Sequence, residues 1–591
     1  MKMCTRMFYK RLFAAIMLMF FLTSPVASWA CTSIIVGKNA SSTGRILFAR
    51  TEDWNYRRPV NFLVFPAGHY KGGVEYQLSA NGFKYTFSHD SYRYFATPMS
   101  YAATLATDGE STYYPMFDDH GVNEKGLAVS ATNTIGFKTN EFDPASENAT
   151  PWNEDTMAKV LLAQCATVEE ALKVADEIVT KYGTNSELIQ IADKDQAWVF
   201  EPIGIHHWVA TRVPEDGFAV ISNAMVTDRV DIADTKNYRA SSDYEAYVKK
   251  FEDAGLTVYH EGERTLKNLN VALTFGTSLP KDSPWSTRNV NGSYNSYRRW
   301  RGYSTFAPSL SLKPLTNDDN EVYQLYIKPD KPISPTDIMF LQRDRYQNVP
   351  AGIGVTDISK TPQPVNEKEE EIAEDGTETN GPRPIGIFRQ VENHVYEMND
   401  YPAEIGARMW LSMSAAESSV NLPFYGNITE THPYYSNLVL MTEYQPETAY
   451  WLFADLGKKA RTNRVMYAQP VKDYWVSYER KLYEEQAAVE AELLSLYAAD
   501  PQAAAKYATD YTLATSDKAF KKAEQIRDAL IAHIAQHPGE LFVVPTEEPK
   551  DTSDNGKNDG GGGGGGCDAG FGVLVVIFAL GSAVLLRKKK I

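Results

Sequence analysis

Cys31-Thr-Ser-Ile-Ile-Val36 and Arg45-Ile-Leu-Phe-Ala-Arg50 are two β-prone runs joined by Gly37-Lys-Asn-Ala-Ser-Ser-Thr-Gly44, a connector rich in turn formers. The pair reads as a hairpin. Pairing symmetric about the turn sets Cys31 opposite Arg50, whereas a slip of one residue would send those side chains to opposite faces of the sheet. Thr51-Glu52-Asp53 continues the second run, so a thiol, a guanidinium and a carboxylate are expected at one strand end.

Upstream of Cys31, Lys2, Arg6, Lys10 and Arg11 form a basic start, Leu12 to Leu22 is apolar, and Ser28 and Ala30 are small residues three and one before the cysteine. This reads as a secretory signal peptide over residues 1–30. The apolar run has 11 residues, too few at ~1.5 Å each to cross a ~30 Å hydrocarbon core. A cysteine at this place also suits the lipid-modified residue of a bacterial lipoprotein. Ser28 and bulky Trp29 fit that pattern poorly, and cleavage after Ala30 to expose Cys31 is favoured.

At the other end, Gly560 to Gly566 are seven glycines, followed by Cys567, an apolar stretch from Ala569 to Leu586, and Arg587-Lys-Lys-Lys590. These eighteen residues span about 27 Å as a helix, and the cations favour the cytoplasmic side. The expected division is a signal peptide (1–30), a main domain (31–540), a glycine-rich linker (541–566) and a membrane anchor or sorting segment (567–591). The protein is expected in the cell envelope, outside the cytoplasm, with signal peptidase and the membrane as its partners. The tail also resembles C-terminal sorting signals of envelope proteins from some anaerobic bacteria, which implies processing or lipidation at Cys567.

The 591 residues are 43% hydrophobic and carry a net charge of -16. That is ample for a large core. It argues against a nucleic-acid partner, because phosphate binding draws on clustered Lys and Arg. Of four cysteines, Cys165 lies in a helical stretch and reads as a core residue; no disulfide framework is evident. A second hairpin runs through Tyr114-Pro-Met-Phe-Asp118, turns at Gly121 to Gly126, and returns over Leu127 to Ala131, ending at Asn133. Strands are expected at Leu188–Ala192, Ala197–Glu201, His207–Arg212 and Phe218–Ser222, with Asn223 after the last. Helices are expected over Asn153–Lys181 and Tyr474–Ala498. Strands interleaved with helices give an α+β layered fold. Pro362 to Pro384, holding Glu367-Lys-Glu-Glu-Glu371, reads as a solvated loop or insertion.

A thiol near its ordinary pKa is only a few per cent thiolate at neutral pH and needs a base or a positive field. An N-terminal cysteine carries its own base, because its α-amine titrates at about 7.7 to 8.0. Arg50 would favour the thiolate, and Asp53 would position the amine. Asn133 and Asn223 are neutral donors suited to an oxyanion, although asparagine at strand ends also simply favours turns. Asp118-Asp119-His120 is a poor metal set, since adjacent strand residues point apart, and His206-His207 reads as strand. HExxH and paired CxxC are absent, so neither a catalytic metal nor a cofactor is expected.

Taken together, Cys31 to Gly37, Ala49-Arg-Thr-Glu-Asp-Trp54, Asn123-Glu-Lys-Gly-Leu-Ala128 with Asn133, Trp198-Val-Phe-Glu201, Ile221-Ser-Asn223 and Arg298-Arg-Trp-Arg301 resemble the cysteine dipeptidases of the N-terminal-nucleophile superfamily, relatives of bile-salt hydrolases and penicillin V acylases. The resemblance runs from Cys31 to near His537. It implies a four-layer αββα sandwich, with Cys31 as nucleophile, Arg50 and Asp53 beside it, Asn133 and Asn223 as oxyanion or substrate groups, and an arginine at Arg298, with Arg299 and Arg301 as alternatives. Glu201 is left outside the catalytic set. The implied activity is hydrolysis of dipeptides. An N-acyl amide hydrolase is the alternative within enzymes, and a membrane-tethered, lipoprotein-like binding component without catalysis is the alternative outside them.

Overall fold

The computed structural model describes residues 31–54, 59–79, 82–99, 117–133, 136, 138, 142–143, 150–185, 187–283, 286–365, 371, 382–437, 439 and 444–547. The expected signal peptide, Tyr114 to Met116, most of the charged stretch around Glu367, the glycine run, Cys567 and the apolar tail lie outside them. Among the described residues no helix is long and apolar enough to cross a membrane.

Two antiparallel sheets form the centre. The first runs in spatial order β12 (Phe218–Ile221), β1 (Thr32–Val36), β2 (Ile46–Asp53), β14 (Gln390–Met398), β15 (Ala407–Met413) and β16 (Leu422–Tyr425). The second runs β13 (Tyr238–Ala240), β11 (Trp208–Arg212), β10 (Ala197–Pro202), β9 (Glu187–Ala192), β8 (Ala128–Asn133), β7 (Phe117–Asn123), β6 (Tyr94–Met99) and β3 (Leu63–Phe65). A ribbon of β4 (Glu75–Gln77) and β5 (Lys84–Thr86) stands apart from both.

Side-chain alternation along the strands builds the layers. Phe95, Val122, Ala128, Leu188 and Val199 of the second sheet share one core with Ile34, Phe48 and Ala49 of the first. Their strand neighbours Tyr94, Val129, Ile189 and Phe200 face a separate core with α1 (Glu154–Gln164) and α2 (Val168–Tyr182). The outer side of the first sheet carries α3 (Ser293–Phe306) on β12, α4 (Pro335–Gln342) on β2 and β14, α5 (Ala449–Arg461) on β15, and α6 (Gln469–Ala499) and α7 (Pro501–Gln536) on β16. The result is α+β, a four-layer αββα sandwich.

The register of the first hairpin differs from the symmetric expectation. Ser33 pairs with Arg50 and Val36 with Leu47, so the continuation sets Cys31 opposite Glu52. The shift is two residues, which keeps Arg50 on the face of Cys31 and makes it a diagonal neighbour. The cause is long-range. Besides its own turn bonds, from Ala40 and Ser41 N–H to Gly37 O, the connector is held from outside: Gly37 N–H donates to Gly217 O, Asn39 and Ala40 N–H to Glu215 O, and Ser42 N–H to Ile333 O.

Three further readings are corrected. Gly121 lies inside β7, and the turn is confined to Asn123–Gly126, where Gly126 has φ 79° and donates to Asn123 O at 3.0 Å. The single helix expected over Asn153–Lys181 is two, broken after Gln164 and restarted by Thr167, whose side chain accepts from Glu170 N–H at 3.2 Å. Finally, Pro362–Pro384 is not solvated throughout, because Arg383 is fully buried. Cys165 is a buried residue of the α1–α2 core, as its setting in an apolar helical stretch suggests.

Candidate active site

Cys31 stands immediately before β1 between two strand ends. Ile221 pairs with Ser33 on one side and Thr51 with Thr32 on the other, so Asn223 and Glu52 flank it. The residue is 1% exposed. Its Sγ donates to Glu52 Oε2 at 3.3 Å. On the same face Arg50 forms an ion pair with Glu52, donates to Ala131 O of β8, and lies 3.9 Å from Glu154.

The opposite face of the same strand ends holds Thr32, Thr51 and Asp53. Thr32 N–H donates to Thr51 Oγ1 and Thr51 Oγ1 to Asp53 Oδ2, both at 3.3 Å. Asp53 is ion-paired with Arg383, whose carbonyl accepts from Tyr346 OH at 2.6 Å. Arg298 reaches in from α3. Its Nη1 donates to Cys31 O at 2.6 Å and Thr32 Oγ1 at 3.0 Å, and its Nη2 to Asn223 Oδ1 at 2.9 Å and Asn295 Oδ1 at 3.2 Å. One planar fork thus fixes Cys31 relative to Asn223. With its oxygen held, Asn223 turns its amide nitrogen away from Arg298 as a donor.

Burial pushes the Cys31 thiol up to about 12; the Arg50 guanidinium opposes this, and the Glu154 and Asp53 carboxylates add to it. Burial also raises the Asp53 carboxyl, against the pull of Arg383, Arg298 and Arg389. Arg298 is brought down to about 10 by burial and by Arg383. The field of Arg50 therefore does not offset the burial of the Cys31 thiol.

Of the residues expected from sequence, Cys31, Arg50, Asp53, Asn223 and Arg298 converge. Asn133 closes β8 opposite Glu187; its side chain lies outside the described atoms. The choice among the arginines is decided by helix phase: Arg299 donates to Tyr323 O, and Arg301 makes a forked pair with Asp344. Glu201 accepts from Val226 and Thr227 N–H at 2.8 and 2.9 Å, pinning the segment that follows Asn223 without touching Cys31.

Glu52, Glu154 and Arg383 were not expected. Glu52 follows from the corrected register. Arg383 sits in a charge-rich stretch with no pattern to mark it.

His120 meets Glu392 and His394 from β14, and the three bring ligand-capable atoms within 4.8 Å of one another. The two imidazoles stack at 3.7 Å with 26° between planes. His120 Nδ1 is bonded to Tyr396 OH at 2.8 Å and His394 Nδ1 to Glu392 at 3.2 Å. This is a hydrogen-bonded network behind Arg50.

The family model for peptidase family C69 matches residues 30–476, a span that contains every residue above. The chain belongs to peptidase family C69. It is an enzyme, a cysteine-type peptidase, in agreement with the resemblance carried by the Cys31, Asn123 and Ile221 blocks. Among relatives of this C69 peptidase is a probable dipeptidase B of Streptococcus pyogenes serotype M1, 28% identical over 510 residues that cover 85% of this chain and 93% of the relative. Dipeptidase A of Lactobacillus helveticus is 26% identical over 417 residues, covering 68% and 76%. Among solved structures, a conjugated bile acid hydrolase from Clostridium perfringens is 14% identical with a TM-score of 0.27, covering 67% of this chain and 92% of that one. Penicillin V acylase from Agrobacterium tumefaciens is 20% identical with a TM-score of 0.19, covering 29% and 46%.

Proposed function

We propose that this C69 peptidase is an exported dipeptidase whose nucleophile is Cys31, freed at its α-amine by cleavage after Ala30. The observation that carries the reading is the Arg298 fork, which grips Cys31 O and Asn223 Oδ1 together. The free α-amine takes the Sγ proton, and the sulfur attacks the scissile carbonyl carbon. Asn223, with Asn133, is assigned the resulting oxyanion. The ammonium of Cys31 then protonates the leaving nitrogen as the C–N bond breaks, and the first product departs. Water, deprotonated by the same amine, attacks the thioester and releases the acyl group, and the thiol regains its proton.

Asp53 and its arginine partner fix the strand end where that amine emerges, and Arg50 holds β8 against β2. A lipid-modified Cys31 would have its amine or thiol blocked, and the fork would then serve no reaction. Placement in the cell envelope, with Ala569 to Leu586 as membrane anchor or sorting segment, rests on the charge and apolar pattern of the two termini.

Side-by-side assays test the substrate class. Free dipeptides are expected to be cleaved at least 100-fold faster, as kcat/KM, than N-acylated amino acids or conjugated bile acids. A reversed preference would assign the chain to acyl amide hydrolysis.

A further inference from the structure

Glu52 is a buried carboxylate near the end of β2. Its Oε2 accepts from Cys31 Sγ at 3.3 Å, and it forms an ion pair with Arg50. On its other side the register sets Glu392 of β14 directly opposite, an unfavourable pairing of like charges. Glu392 is taken up by His120 and His394, at 3.5 and 3.2 Å, and relieves Glu52 of nothing. A buried ion pair adds little to folding, because lost hydration offsets the attraction and apolar side chains of the same size often serve as well. Stability alone therefore does not account for a carboxylate at this place, and its contact with the sulfur is the remaining reason for it.

That contact bears on the thiol in two ways. The carboxylate accepts the S–H hydrogen bond and so sets the direction of the proton. A negative group at this distance also opposes the thiolate, and by engaging Arg50 it withdraws the cation that would favour one. Glu154 of α1, within 4.8 Å of both the thiol and Glu52, acts in the same sense. Burial lowers the pKa of His120, and it brings His394 down to about 3, so both imidazoles stay neutral where an α-amine titrates. Asp53, Arg298 and Arg383 stand on the opposite face of the strand end.

We propose that Glu52 holds the proton of Cys31 in the resting enzyme and, through Arg50, keeps the sulfur a thiol until the α-amine takes that proton. The inference rests on the reading of Cys31 as nucleophile and adds the group that governs when its thiolate forms. Glu52 itself accepts no proton. The S–H bond breaks toward the amine, the amine passes the proton to the leaving nitrogen, and the proton that returns to sulfur after thioester hydrolysis again faces the carboxylate. Between turnovers a sulfur held in this way is slow to react with electrophiles, because the thiolate is the reactive form.

The test uses the processed full-length enzyme with the variants Glu52→Gln, which keeps the size and removes the charge, and Glu52→Asp, which keeps the charge. Alkylation of Cys31 by iodoacetamide and kcat/KM are each followed against pH. In Glu52→Gln the midpoint of both profiles is expected about one pH unit lower, which makes alkylation below the midpoint about tenfold faster, whereas Glu52→Asp keeps the wild-type midpoint. A midpoint unchanged in Glu52→Gln, or moved equally in Glu52→Asp, overturns the inference. Should Glu52→Gln fail to fold, the S–H stretching band of wild type, assigned by its loss in Cys31→Ala, decides. It is expected at lower frequency than the band of Cys165, which lies among apolar side chains; a band at or above that of Cys165, or no band, overturns the inference. Either outcome leaves Cys31 as nucleophile, a reading that only undiminished turnover in Cys31→Ala would remove.

Discussion

Cys31→Ala is expected to lose peptide hydrolysis by on the order of 10⁴-fold or more, since a nucleophile removed from a covalent mechanism leaves only binding and oxyanion stabilisation. The fold should survive. The substitution deletes one small buried atom, costing about 1 kcal/mol or less, and Glu52 keeps its partner Arg50. Thermal unfolding of the variant should fall within a few degrees of wild type, and turnover should be at background. Unchanged turnover would remove Cys31 from the chemistry and leave the Arg298 fork as a structural clamp.

The second large effect concerns the residue before Cys31. Replacing the small residue at the cut, as in Ala30→Leu, is expected to hold Cys31 in a peptide bond. The thiol then lacks the α-amine as its base, and burial pushes its pKa up to about 12. At pH 7 the thiolate fraction is about 10⁻⁵ and rises tenfold per pH unit until that pKa. Hydrolysis should be absent near neutral pH, and alkylation of Cys31 by iodoacetamide should climb about 1000-fold between pH 7 and pH 10 while the fold persists. The processed enzyme should behave differently: its kcat/KM rises with pH through the α-amine titration, at about 7.7 to 8.0, and levels off above it. An uncleaved chain as active as the processed one would show that another group takes the proton.

Much of the site is legible in the chain because it is built from strand ends. Cys31, Arg50, Asp53 and Asn223 each adjoin a β-prone run, and adjacent antiparallel strands bring such ends together. The αββα layers follow from the same runs, through alternation. What stays hidden is set by distant contacts. The two-residue shift in the first hairpin comes from the Pro214–Gly217 turn and Ile333 holding the connector, and neither is local to it. Arg298, Arg299 and Arg301 are equivalent as letters; successive 100° steps on α3 send one to Cys31, one to Tyr323 and one to Asp344. Arg383 belongs to a stretch whose charge reads as solvated, and the tertiary position of Asp53 gives it a reason to be buried. The signal peptide and the apolar tail rest on sequence pattern alone.

The proposed catalysis depends above all on the amine of Cys31. N-terminal sequencing combined with intact mass, on active enzyme purified from its native source, reads that group directly. A chain that begins at Cys31 with an unmodified amine is the predicted result. A chain that is active while beginning at any other residue, or with its amine acylated, would contradict it.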